Sequence, residues 1–159
     1  MSAAPRYFED YPVGTVFAGG ALAVSEADIL EFAERWDPQA MHIDRIAAEA
    51  GQFGGLIASG WHTGAMMMRL LVDHFVSPVG NLASPGVDEL RWLLPVRPGD
   101  VLSLRVTVLE ARPSRSIPNQ GVLKSLVEVL NQRGEVVMSL KPISLVRYRP
   151  KGELGGDRA

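Results

Sequence analysis

The spacing of apolar positions divides the chain into a helical half and a strand half. After an extended lead-in at 7–14 (Y-F-E-D-Y-P-V-G) and a short strand over Val16–Val24, Ile29, Phe32, Ala33 and Trp36 recur at steps of three and four. That spacing puts them on one face of a helix. Ser25 followed by Asp28 predicts a capping box at its start, and Pro38 stops it by pushing Asp37 out of the α region. Asp44 is placed to cap a short second helix over 45–50, closed by Gly51. A Gly-containing loop at 52–58 leads to a long helix from Ser59 to about Val76 that is apolar nearly all round, with methionine at 66, 67 and 68. Such a helix is expected to be buried on most of its circumference. It would be about 26 Å long at ~1.5 Å per residue.

Beyond Ser77-Pro78 the period changes. Val87–Pro95 is one β-strand run, and Arg97-Pro98-Gly99-Asp100 carries Pro and Gly where a type II turn favours them. In 101–109, Leu102, Leu104, Val106 and Val108 alternate with polar residues, the pattern of a half-buried strand. A loop at 112–120 precedes strands at 121–130 and 135–147, joined by Asn131-Gln132-Arg133-Gly134 as a hairpin turn. Pro142 removes a ladder donor, so a bulge or a sheet edge is expected there. The pattern predicts an α+β fold in which a long central helix is wrapped by a curved antiparallel sheet.

Composition narrows the function. With 159 residues, 47% of them hydrophobic and 21% charged, the chain reads as one globular domain over 1–150. The Gly-rich charged tail from Lys151 reads as loosely held. A net charge of −2 gives no field to gather nucleic acid. The absence of cysteine excludes disulfides, thiolate metal sites and cysteine nucleophiles, and suits a reducing, cytoplasmic setting. The polar N-terminus lacks the apolar core of a signal peptide. The most apolar stretch, 56–76, contains His62, Arg69, Asp73 and His74, which argues against a membrane span.

The chemistry concentrates between Trp36 and Thr63. Asp37 and His42 stand five residues apart in what reads as an interhelical loop, and Ser59-Gly60 opens the apolar helix. An acid/base pair beside oriented backbone N–H groups can add or remove a proton next to a carbonyl. Ser59 reads first as a helix cap and Asp44 as another. Gly60 with Gly64 equally suits close packing, and His62 and His74 read as structural. Met66–Met68 read as core or as pocket lining.

This segment resembles the signature of the MaoC-like dehydratases, a hotdog family that includes the (R)-specific enoyl-CoA hydratases. Their Asp-x-Asn-Pro-x-His-x-Asp segment and Ala-(His/Ser)-Gly helix start are matched here by Asp37, His42 and Asp44, then by Ala58, Ser59 and Gly60. The lead-in F-E-D-Y-P-V-G, the S-E-A-D-I opening and the P-V-R-P-G-D turn extend the resemblance over about 7–147. The chain departs from the signature at Gln39-Ala40, where the family has Asn-Pro.

The resemblance implies a hotdog fold and water addition to, or removal from, a trans-2-enoyl thioester of CoA or an acyl-carrier protein, with an (R)-3-hydroxyacyl product. It implies no metal and no redox cofactor, and a homodimer or larger homo-oligomer. Asp37 and His42 would hold water and move its proton, with their acid and base roles left open. Ser59 would assist, and the Gly60 N–H would face the thioester oxygen. Trp61, Gln39 and Arg97 are the residues expected to bind substrate. Arg97 joins Arg91, Arg112, Arg115 and Lys124 as possible phosphate contacts, each of which also reads as an ordinary solvated side chain. A hotdog thioesterase, or a non-catalytic acyl-thioester binding subunit, is the alternative.

Overall fold

The computed structural model describes residues 3–151. The expected tail lies outside them beyond Lys151. A 3-10 turn at Phe8–Asp10 precedes β1 (Val16–Ala23), α1 (Glu26–Trp36), α2 (Ala40–Ile43), α3 (Arg45–Ala50) and α4 (Gly60–His74). Four strands follow: β2 (Asn81–Trp92), β3 (Val101–Pro113), β4 (Gln120–Leu130) and β5 (Val136–Arg147). The five strands form one antiparallel sheet in the order β1-β3-β4-β5-β2.

Local chemistry explains most boundaries. Ser25 Oγ accepts from the Asp28 N–H at 3.0 Å and starts α1. Asp44 Oδ1 accepts from the N–H groups of Ile46 and Ala47 and starts α3. At 97–100 the Asp100 N–H donates to Arg97 O, and Gly99 takes a φ of 89°, the left-handed backbone that a type II turn requires at its third position. In the 131–134 hairpin, Asn131 Oδ1 accepts from the N–H groups of Arg133 and Glu135.

The core lies between α4 and the inner face of the sheet. Leu102, Leu104, Val106 and Val108 of β3 face inward, as do Leu123, Val127 and Val129 of β4. From α4 come Met66, Met67, Leu70 and Leu71.

Four expectations change. The Asp37–Asp44 segment is not all loop: α2 supplies one turn of helix that turns His42 inward. β2 begins at Asn81, six residues before the expected start at Val87, despite Pro85 and Gly86. It is an edge strand with three register irregularities, and an edge tolerates a missing N–H. Pro142 lies on an interior strand, paired with Val87, and no bulge forms on β5 at that position. Register irregularities flank that pair on β2, between Ala83 and Gly86 and between Asp88 and Arg91, where Glu89 has a φ of 53°. Finally, α4 is not covered on nearly its whole circumference. Trp61, Ala65, Met68 and Val72, spaced by three and four, stay exposed, because the sheet packs on the other face of the helix and β2 is exposed along nearly its whole length.

Candidate active site

The site forms where the C-terminus of α1, the turn of α2 and the start of α4 converge. Asp37 ends α1, its N–H bonded to Ala33 O at 2.9 Å, and ahead of Pro38 its backbone leaves the α region, at φ −151° and ψ 66°, with its carboxylate reaching the start of α4. There Ser59 Oγ donates to Asp37 Oδ2 at 2.6 Å. Gln39 Nε2 donates to Asp37 Oδ1 at 2.7 Å. Each carboxylate oxygen therefore has its own donor. These two bonds, Ser59 first and Gln39 second, hold the Asp37 carboxyl below its ordinary value against the opposing effect of burial.

His42 is 4% exposed, and its Nδ1 lies 2.8 Å from Ile57 O. A carbonyl oxygen only accepts, so Nδ1 carries a proton in that bond, and in the neutral ring Nε2 is the acceptor. Nε2 lies 3.5 Å from Asp37 Oδ2. The loop holding Ile57 is fixed on both sides, by the Ile57 N–H to Met41 O and the Ala58 N–H to Val96 O. Rigid backbone thus sets the tautomer of the histidine.

Ser59 fills two roles at once. Its Oγ donates to Asp37 and accepts from the Trp61 N–H at 3.2 Å, capping α4. Among the described residues the Gly60 N–H makes no hydrogen bond. It is a free donor at the positive end of a 15-residue helix.

These groups open on a cavity of about 430 Å³. Asp37, Gln39, His42, Gly60 and Trp61 all line it, so the structure brings five of the seven expected site residues to one surface, with Ser59 buried directly behind. Arg97 is elsewhere. It does not line the cavity, and its guanidinium donates to Phe53 O at 2.5 Å, pinning the loop before α4. Gln39 meets Asp37 as its hydrogen-bond partner. Arg91, Arg112, Arg115 and Lys124 do not line the cavity either; Lys124 faces Asp88 at 3.6 Å.

His62 and His74 stand apart from the dyad. His62 stacks on Phe32 with ring centroids 4.7 Å apart, and His74 packs against Gly19. Asp44 serves as the α3 cap. Sequence reasoning missed Gln52, Phe53, Ile57 and Trp92 as cavity residues. For Trp92 the only signal was an aromatic residue just before the Pro95–Asp100 turn, and nothing local says that it reaches α4.

A long central helix packed on a five-stranded antiparallel sheet is the architecture of a hotdog domain. Residues 11–129 match the MaoC like domain model, and the chain belongs to the MaoC-like dehydratase family. A solved MaoC-like dehydratase from Rhodospirillum rubrum superposes with a TM-score of 0.84 at 42% identity, over 91% of this chain and 99% of that one. The uncharacterized protein YdeM of Bacillus subtilis is 34% identical over 125 residues, 79% of this chain and 87% of that protein. A 3-hydroxybutyryl-CoA dehydratase of Methylorubrum extorquens is 31% identical over 110 residues, 69% of this chain and 68% of that enzyme. Among the described residues no helix is long and apolar enough to cross a membrane.

Proposed function

We propose that this chain is a hydro-lyase that adds water to, or removes it from, a trans-2-enoyl thioester of CoA or an acyl-carrier protein, giving an (R)-3-hydroxyacyl thioester. The observation that carries this reading is the convergence of Asp37, His42 and the free Gly60 N–H on one cavity. Family membership and the 3-hydroxybutyryl-CoA dehydratase relative support the same reaction class.

In the hydration direction, water is held in the cavity against Asp37 and His42 Nε2, on the open side of the pair. His42 Nε2 takes one proton as the water oxygen bonds to C3. The C2–C3 π electrons move toward the thioester, whose oxygen gains negative charge and accepts from the Gly60 N–H. Protonation of C2 by the imidazolium returns His42 to its neutral form and completes the addition of H and OH. Asp37 suits orientation of the water and stabilisation of the imidazolium better than proton abstraction, because Ser59 and Gln39 lower its basicity. Dehydration runs the same steps backward.

The test is loss of enoyl absorbance with crotonyl-CoA, with chiral analysis of the product. Asp37→Asn and His42→Ala should each lower kcat by about 10²–10⁴-fold while the fold persists. Full activity in both folded variants overturns the reading, and release of free thiol in place of hydration points to a thioesterase. We expect a homodimer or larger homo-oligomer: β2 is a sheet edge, and Trp61, Met68 and Val72 on α4 and Leu82 on β2 are exposed apolar side chains. A monomer by light scattering counts against that arrangement.

A further inference from the structure

One wall of the cavity is a side chain that the proposed chemistry does not use. Trp92 ends β2, where it pairs with Met138, and the next residue continues the hold through the Leu93 N–H to Val137 O at 2.8 Å. From there its indole reaches across to α4 and donates from Nε1 to Gly60 O at 2.9 Å. The ring of Trp61 meets it edge-on, with centroids 5.2 Å apart. Backbone, hydrogen bond and neighbouring ring together fix where the indole lies.

It lies against Gly60. A Cβ on that residue would fall 2.5 Å from Trp92 Cε2, 2.7 Å from Nε1 and 2.9 Å from Cδ2. There is no room for a methyl group between the first residue of α4 and the indole. Trp92 therefore requires glycine at position 60.

We infer that Trp92 is a specificity-determining residue whose indole bounds the space beside C2 of the acyl group. The site then takes acyl thioesters unbranched at C2 and rejects those carrying a 2-methyl group. This rests on the placement of the thioester oxygen at the Gly60 N–H. C2 is two bonds from that oxygen, so a substituent on C2 passes along the same indole. Trp92 has no lone pair or acidic proton free for the reaction, since its N–H is spent on Gly60 O, so its contribution is steric. One methyl group is worth roughly 10–200-fold in discrimination at a packed wall.

The experiment separates this inference from the hydratase reading by measuring binding and turnover independently. Calorimetric titration with butyryl-CoA and 2-methylbutyryl-CoA, which carry no double bond to hydrate, reads binding alone. Hydration of crotonyl-CoA and 2-methylcrotonyl-CoA reads turnover. Wild type should bind the unbranched ligand at least about tenfold more tightly. Trp92→Ala should close most of that gap by tightening the branched ligand, and Trp92→Phe, which keeps a ring in place, should preserve most of it. Should Trp92→Ala fail to fold, Trp92→Leu carries the same comparison. A binding gap without hydration of either enoyl thioester supports Trp92 and removes the hydratase reading. Equal binding of the two ligands by wild type, binding of neither, or a gap unchanged in a folded Trp92→Ala protein overturns the inference.

Discussion

His42 and His62 are both more than nine-tenths buried near the start of α4, yet their surroundings differ in kind. His42 has Nδ1 committed to Ile57 O and Nε2 directed at Asp37. His62 lies flat on Phe32, its buried Nδ1 has no hydrogen-bond partner among the described residues, and burial lowers its pKa from the ordinary 6.5. Burial alone makes an imidazole a packing group that resists charging. A fixed tautomer and a facing carboxylate make it a proton carrier. The pair also shows why one histidine cannot stand in for the other: they differ in partners, not in depth.

The largest expected effect tests that contrast directly. His42→Ala should cost about 10²–10⁴-fold in kcat with crotonyl-CoA, whereas His62→Phe should change it by less than about threefold. Comparable losses in both would erase the distinction. Next in size is Gly60→Ala, which drives a methyl into the Trp92 indole and should destabilise the fold by about 1–3 kcal/mol in urea denaturation. In a Trp92→Ala background the same substitution should cost little, since the two sites are in contact and their effects do not add.

Ser59→Ala should remove about 1 kcal/mol of capping. It also takes away the first cause of Asp37's lowered pKa. The carboxyl moves up toward its ordinary value, so the acid limb of the pH–rate profile should shift to higher pH, and Ser59→Thr should restore it in part. The smallest effect is on stability at low pH. His62 is lowered in the folded chain, so its contribution is complete above the unfolded value of about 6.5 and is lost as pH falls through the folded value. His62→Phe should therefore flatten the decline in folding free energy between pH 7 and pH 5, and an unchanged slope would show that other groups set it.

That Asp37, His42, Ser59 and Gly60 come together was legible because their types and spacing suit one another. Their capping and turn chemistry is local: Ser25, Asp44, Ser59 and Gly99 each do in the fold what their immediate neighbours imply. The role of Gln39 was only half legible. A side chain two residues from Asp37 is within reach of it, but whether it turns to the carboxylate or to the cavity depends on α2, a single helical turn too short for periodicity to reveal. The place of Arg97 was not legible, because a guanidinium beside a turn serves a loop carbonyl as readily as a phosphate, and here it meets Phe53 O.

The alternation of apolar residues and the caps and turns by themselves determined that a helical half precedes most of an antiparallel sheet and that Ser59 opens the long helix. Those signals act within a few residues, and a sequence displays them directly. Tertiary structure alone decided that Ser59 meets Asp37 across 22 residues, that Ile57 holds His42 across 15, and that Trp92 closes on Gly60 across 32. It also decided which face of α4 stays open and that Pro142 lies inside the sheet. Strand order and helix-on-sheet packing set those contacts, and no period or cap encodes which distant residue a side chain will face.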